Sequence, residues 1–383
     1  MIDRIERSLT TLHVGVDEDD VDEIVSAINA GSLAGNAPVV DEYERLLERQ
    51  FGTSHAIAYA NGTVSLQGAL RAAGVGRGDE VALPPTCPVM TALPILNLGA
   101  SPVFVDTKSH NSFSICPHSL RERLTPDTKA IISIPMWGYP TKIGAVNDIA
   151  AERGTVVIED AAQAHGATIG DDYVGTNADI GSFSTHQQKV ICTGEGGFLL
   201  TDSDELARKV AELRSFGICY FSRREFADHS ANYGDRFGMN YKFNAMGAAM
   251  GIAQLDKFSS KLERRRTNAE YLMDQLAQEN GPREIPTPPE HSPNYYALVL
   301  ESRDPDRSGS EISDRLVNYN VVSDTYAYNF KPLFEYPLFS EYRTDCPNAE
   351  ALTKRIFTVP THEGLDRSEL DYIIDSVLEA DSP

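Results

Sequence analysis

The chain has 383 residues, 34 of them Lys or Arg and 56 Asp or Glu, for a formal charge of −22. At about 150 residues per domain that length predicts two domains, and 41% hydrophobic residues with 28 Gly and 21 Pro exclude collagen-like, coiled-coil and wholly disordered chains. So negative a surface repels nucleic-acid phosphates and anionic lipid, and its one basic run, Arg264-Arg265-Arg266, falls in a helical stretch where it reads as a solvated face.

Taken in chain order, Met1 to Arg7 lack the apolar core of a signal peptide. An amphipathic helix is predicted over 18–30, a turn at Gly31 to Asn36, and a second helix over 38–50. Short β-rich runs follow at 55–59, 80–83, 102–106, 129–134, 155–159, 180–185 and 197–201, with helix-length segments at 63–73, 89–98, 142–153 and 203–215 between several of them. That alternation predicts an α/β layer with a mostly parallel sheet buried on both faces and ligand sites at the carboxyl ends of its strands. The longest apolar stretch, Val89 to Val105, is broken by Thr, Pro, Asn and Ser, so no membrane span is expected. From Met246 to Gln278 the pattern predicts one long helix, then a Pro-rich segment, new short elements and a last helix over 368–380, which read together as a second, smaller domain. Cys87, Cys116, Cys192, Cys219 and Cys346 are odd in number and contain no Cys-x-x-Cys, so reduced thiols in the cytoplasm are expected rather than a disulfide framework or a zinc knuckle.

Four segments carry chemistry or imitate it. Asn61-Gly62-Thr63 follows a predicted strand and opens a helix, where free amides and the helix dipole favour an anion and the Thr63 hydroxyl adds a donor; a simple N-cap is the alternative. Gly74-Val75-Gly76-Arg77-Gly78 imitates a dinucleotide fingerprint but follows a helix, so it reads as a helix stop with Gly74 in a left-handed cap. Val156 to Asp160 is an apolar strand ending in two carboxylates, and the loop through Gly166 brings Asp160, Gln163 and His165 together; a helix cap is the plainer reading of that Asp. Ser184 and Lys189 lie in a loop, closed by Gly194-Glu195-Gly196-Gly197, that joins two strands of the same layer. Most lysines are solvated, but an anion cradle at 61–63 with Ser184, a carboxylate for a protonated ring nitrogen and a lysine for an aldehyde together describe pyridoxal 5′-phosphate.

Nearly end to end, the sequence resembles the sugar aminotransferases of the DegT/DnrJ/StrS group, which share the aspartate-aminotransferase fold (fold type I). The likeness runs through Glu42-Tyr43-Glu44, Asn61-Gly62-Thr63, Gly78-Asp79-Glu80-Val81, Pro102 to Asp106, and Glu159-Asp160-Ala161-Ala162-Gln163-Ala164-His165-Gly166. It continues through Phe183-Ser184 with Lys189, Gly194 to Gly197, Gly238-Met239-Asn240-Tyr241 and Val359-Pro360-Thr361-His362. The resemblance implies a large pyridoxal-phosphate domain over 1–250, with a mostly parallel central sheet between helices, and a small C-terminal α/β domain over 251–383.

It also implies roles. Lys189 matches the lysine that holds the cofactor and moves the proton, Asp160 the partner of the pyridinium nitrogen, and Gln163 the residue near the phenolic oxygen. Gly62, Thr63 and Ser184 match phosphate contacts, and Asn240 matches an asparagine given by the neighbouring subunit, so a homodimer with shared active sites is expected. Two departures stand out. Pro88 occupies the place of the usual stacking aromatic, and Lys242 that of an arginine. The implied activity is transfer of an amino group from glutamate or glutamine to the ketone of a nucleotide-linked sugar or a keto-cyclitol, with small molecules as its partners. A dehydratase-like lyase acting on a keto-deoxysugar is one alternative, in a branch where His replaces the lysine; a non-enzymatic sensor, which has no need of a proton-transfer lysine, is another.

Overall fold

The structure, a computed structural model, describes residues 8–219 and 230–382. Seven strands, β1 (His55–Tyr59), β2 (Glu80–Leu83), β3 (Ser101–Phe104), β4 (Thr128–Ser133), β5 (Val156–Asp160), β6 (Ile180–Ser184) and β7 (Gly197–Thr201), form one sheet in the order β1-β7-β6-β5-β4-β2-β3. Only β7 opposes its neighbours; the other strand pairs are parallel. The longer helices up to residue 278 are α1 (Glu18–Asn29), α2 (Pro38–Phe51), α3 (Gly62–Ala72), α4 (Val89–Asn97), α5 (Gly144–Arg153), α6 (Asp204–Arg214), α7 (Ala245–Asp256) and α8 (Phe258–Gln278); a shorter one, Pro117–Arg123, has no counterpart in the sequence pattern. Their bounds fall within about two residues of the sequence pattern until α7.

Successive residues of a strand face opposite sides, and both sides are covered. From β1, Ile57 and Tyr59 pack with Leu66 and Leu70 of α3, while Ala56 and Ala58 pack with Tyr43 and Leu47 of α2. Both faces being dry, the strands carry continuous apolar runs rather than alternating ones. Beyond α8, strands β8 (Arg283–Glu284), β9 (Leu298–Glu301) and β10 (Ile356–Val359) make an antiparallel sheet around Leu272, Ile312, Phe357 and Ile373.

Two expectations need correction. The helix predicted over 246–278 is two helices, because Lys257 interrupts it; its Nζ lies 2.6 Å from Asp17 Oδ1 and 2.6 Å from Asp20 Oδ2, at the start of α1. Of Arg264 to Arg266 only Arg264 is exposed, so the run is not wholly a solvated face. Arg265 is 1% exposed and lies 2.8 Å from Glu363 Oε2, while Arg266 donates to Gly166 O at 3.0 Å and Arg264 to Leu365 O at 3.3 Å. The sequence shows charge but not that carbonyls and a carboxylate from distant segments wait beside the helix. Tyr326 to Asn329 belong to a short helix, Asp324–Ala327, and the left-handed turn after it. The glycine cluster does end a helix, with Gly74 at φ 87. Among the described residues no helix is long and apolar enough to cross a membrane, and no cluster of three or more His, Cys, Asp or Glu is placed to hold a metal ion.

The motif Glu42-Tyr43-Glu44 has a physical basis in the frame. Tyr43 is fully buried under the sheet, and Glu44, 2% exposed, accepts from Ala58 N at 2.9 Å and meets Arg214 Nη1 at 2.5 Å, which also donates to Ala58 O at 3.0 Å. The pair thus stitches α2 and α6 to β1. Breaking a buried pair from one side strands a charge, at a cost of about 3 kcal/mol. Glu44→Gln is expected to lower the urea midpoint by a corresponding amount, and Glu44→Gln with Arg214→Met to restore much of the loss. Equal midpoints for wild type and Glu44→Gln would show that the pair does not hold the frame.

Candidate active site

The parallel strands β5 and β6 lie side by side with Ser182 opposite Asp160, so the loops leaving their carboxyl ends converge. A cavity of about 860 Å³ opens there, lined among others by Gly62, Thr63, Pro88, Thr91, Asp160, Gln163, Ser184 and Lys189. Seven of the eight candidate residues therefore meet in one place. The eighth, Asn240, does not line this cavity; it is exposed, and its Oδ1 accepts from Lys242 Nζ at 2.6 Å.

Gly62 and Thr63 are the first residues of α3. Asn61 caps the helix through Val64 N at 3.0 Å, and the first helical hydrogen bond, Ser65 N to Asn61 O, is also 3.0 Å. The amides of Gly62 and Thr63 precede that bond, so the helix end offers donors and a positive dipole to an anion. Gly62 must be glycine for a steric reason. A Cβ there would lie 2.6 Å from Ser184 Cβ, so the missing side chain is what lets the two halves of the cradle close together.

Asp160 ends β5, and its two oxygens are held separately: Oδ2 accepts from Thr91 Oγ1 at 2.6 Å and Oδ1 from Ala162 N at 3.3 Å. Burial pushes its pKa up, against Thr91, Ala162 and Lys189, which hold it down. Lys189 is the counterpart. Desolvation lowers its pKa to about 8, opposed by the charges of Asp160 and Asp324, and its Nζ lies 4.7 Å from the centre of the Tyr296 ring. Gln163 lies between them on the loop from β5, its Oε1 accepting from Trp137 N at 2.8 Å. Asn294, fully buried, fixes that loop by donating to Gln163 O at 3.0 Å and His165 O at 2.9 Å.

His165 does not join Asp160 and Gln163 in the cavity. It is 1% exposed and stacks on Phe183 at 5.3 Å between centroids, and burial drives its pKa down to about 3, so the ring is a neutral packing group. Pro88 is the N-cap of α4 and a wall residue, one helical turn before Thr91. Part of the remaining wall is aromatic, from Trp137, Tyr296, Tyr328, Phe330 and Tyr336, so the segment around Tyr328 reaches the site.

Sequence reasoning missed Thr91, Trp137, Asn294, Tyr296 and Asp324. Trp137 carried a usable signal: it is the sole tryptophan of the chain and precedes a glycine at a strand end. The others have no local signature, since each acts on a segment far away in the sequence.

Comparison with known proteins agrees with this geometry. The profile of the DegT/DnrJ/EryC1/StrS aminotransferase family matches residues 15–378. Over 305 residues the chain is 34% identical to an L-glutamine:2-deoxy-scyllo-inosose aminotransferase of Streptomyces kanamyceticus, covering 76% of this chain and 70% of that protein. It is 28% identical over 353 residues to a GDP-perosamine synthase of Escherichia coli O157:H7, covering 91% of each. Among solved structures, an aminotransferase from Psychrobacter cryohalolentis matches with a TM-score of 0.85 at 25% identity, over 95% of this chain and 96% of that one. The fold, with its large mostly parallel sheet between helices, and a profile match over nearly the whole length place the chain in the DegT/DnrJ/EryC1/StrS aminotransferase family.

Proposed function

We propose that the chain is a homodimeric pyridoxal 5′-phosphate enzyme that moves an amino group from glutamate or glutamine to the ketone of a nucleotide-linked sugar or a keto-cyclitol. The observation that carries this reading is the meeting of Lys189 and Asp160 in one cavity with the amino end of α3. The residues fit the cofactor. The amides of Gly62 and Thr63 and the hydroxyl of Ser184 meet at the helix end as donors for an anion, Asp160 is a half-buried carboxylate whose two oxygens are held in place, suited to a protonated ring nitrogen, and burial lowers the pKa of the Lys189 amine.

When bound, pyridoxal 5′-phosphate supplies an electron sink for the donor's α-carbon. Asp160 keeps the ring-nitrogen proton in place, and Thr91, by holding Oδ2, keeps the carboxylate aimed. Lys189 Nζ is the base that takes and returns a proton. With its pKa at about 8, roughly a tenth of it is neutral at pH 7, against well under a thousandth for an unperturbed lysine. Gly62, Thr63 and Ser184 would hold the phosphate, Gln163 would donate to the phenolic oxygen, and Pro88 would stand where relatives place an aromatic side chain. A lysine at position 189 also disfavours the lyase reading.

In this reading residues 1–250 form the cofactor domain and 251–383 a smaller domain that lends Tyr296, Tyr328, Phe330 and Tyr336 to the wall. The substrate range is supported by the names of two relatives, one acting on scyllo-inosose and one making GDP-perosamine. The five free thiols are in keeping with a reducing cytoplasm. Asn240 lies off its own cavity, which supports a role across a subunit interface. Apolar surface nearby in the fold and along α1 is bare, with Phe237 65%, Val21 52% and Val25 48% exposed.

Two outcomes are expected. Protein loaded with pyridoxal 5′-phosphate, reduced with borohydride and mapped by peptide mass spectrometry carries the label on Lys189; a label on a different lysine overturns the assignment. Mixing inactive Lys189→Ala subunits with inactive Asn240→Asp subunits restores activity, because each hybrid dimer keeps one site free of both lesions. Tagged subunits verify that hybrids form, and hybrids without activity would place Asn240 outside the shared site.

A further inference from the structure

Asp324 is a buried carboxylate that the reading above does not use. It is 4% exposed and begins the short helix Asp324–Ala327, anchored by its own N–H donating to Thr358 Oγ1 at 2.8 Å. One carboxylate oxygen, Oδ2, accepts from the Trp137 indole Nε1 at 3.0 Å; the other, Oδ1, accepts from the hydroxyl of Thr11. Two segments distant in sequence, at Thr11 and Trp137, thus end on one side chain directly behind Trp137, which lines the cavity.

Trp137 is held in an unusual way. Its φ is 51° and ψ 22°, in the left-handed region that a bulky residue rarely enters, and the Gly138 that follows has φ 84°. Backbone held out of its preferred wells persists only where surrounding contacts fix it. The contact at one end is the indole bond to Asp324. At the other end the Trp137 amide donates to Gln163 Oε1 at 2.8 Å. A backbone N–H can only donate, so the end of the Gln163 amide that it meets is the oxygen, and the NH₂ end, which carries donors alone, is left for the cavity.

We propose that Asp324 is a positioning residue of the site. Holding the indole N–H fixes Trp137 in its left-handed turn, and Trp137 in turn fixes Gln163 so that the amide presents donor hydrogens to an anionic oxygen of the ligand. The proposal rests on the reading of the cavity as a pyridoxal 5′-phosphate site, where that oxygen is the phenolic one. Thr11 extends the relay to the N-terminal segment, so Asp324 links the cofactor's surroundings to both ends of the chain.

The test is a spectrophotometric pH titration of the cofactor-loaded enzyme. Asp324→Asn offers one acceptor to two donors and turns an NH₂ toward the other, so the relay is broken at little change in volume. A donor to the phenolic oxygen favours the deprotonated chromophore; losing its aim raises the midpoint of the absorbance change by about half a unit to one unit. Trp137→Phe, which removes the indole N–H and keeps the Asp324 charge, raises the midpoint by that amount; Asp324→Asn also removes a charge that favours the protonated Lys189 nitrogen, so added to Trp137→Phe it raises the midpoint no further. A variant that merely loosens the fold loses cofactor without moving the midpoint of what remains bound. An unmoved midpoint in Trp137→Phe, which leaves the Asp324 charge near Lys189 in place, in protein still labelled at Lys189 by borohydride, overturns the relay and leaves the cofactor site standing. A further rise in the double variant overturns it too. Wild-type protein that takes no label at Lys189 removes the cofactor reading itself, and the relay with it.

Discussion

A lysine amine is useful in acid–base chemistry only when part of it is unprotonated, and burial next to apolar and aromatic groups supplies that condition here. Lys189 is taken out of water beneath Tyr296, which lowers its pKa to about 8, while Asp160 and Asp324 restrain the fall. The sign of the effect on the cofactor-free fold follows. Between about pH 8 and the ordinary lysine value of 10.5 the unfolded chain binds the proton that the folded chain has released, so this group's contribution to stability rises with pH across that window. Below it, where both states are protonated, the half-buried ammonium is a net cost to the fold. The site is therefore destabilising in isolation, and the surrounding frame offsets it.

The frame does so by topology. β5 and β6 are neighbours and parallel, so Asp160 and Ser184 arrive at the same edge of the sheet without any direct bond between them. The next strand in the chain, β7, returns antiparallel and pairs β6 with β1, which sets the amino end of α3 beside Ser184. Glu44 and Arg214 lock β1 from behind, and the aromatic stack of Phe183 on Phe198, 4.5 Å between centroids, locks β6 to β7. The cradle's tight point, Gly62 against Ser184, depends on both locks.

Much of this was legible before the structure. The strands show as apolar runs bounded by turn residues, and Asp160, Gly62 and Lys189 stand at strand ends or in a loop where their chemistry is concentrated; what makes them informative is local sequence. What stays hidden is contact between remote segments. Nothing near residue 257 announces that α1 brings Asp17 and Asp20 to Lys257, and nothing near Arg265 announces Glu363. Likewise Asp324 looks like an ordinary helix-start residue until Thr11 and Trp137 are seen to end on it. His165 is the opposite case: an imidazole that looks catalytic by its neighbours in sequence, but whose side chain the strand-end turn directs into the Phe183 stack.

The most direct measurement is the pH dependence of chemical modification at Lys189 in cofactor-free protein. Reductive methylation over a range of pH, read at the Lys189 peptide by mass spectrometry, reports the neutral fraction of that amine alone. A midpoint near 8, well below that of the exposed lysines in the same digest, is the predicted result. A midpoint at the ordinary lysine value would contradict a desolvated amine facing Asp160, and with it the proton-transfer role assigned to Lys189.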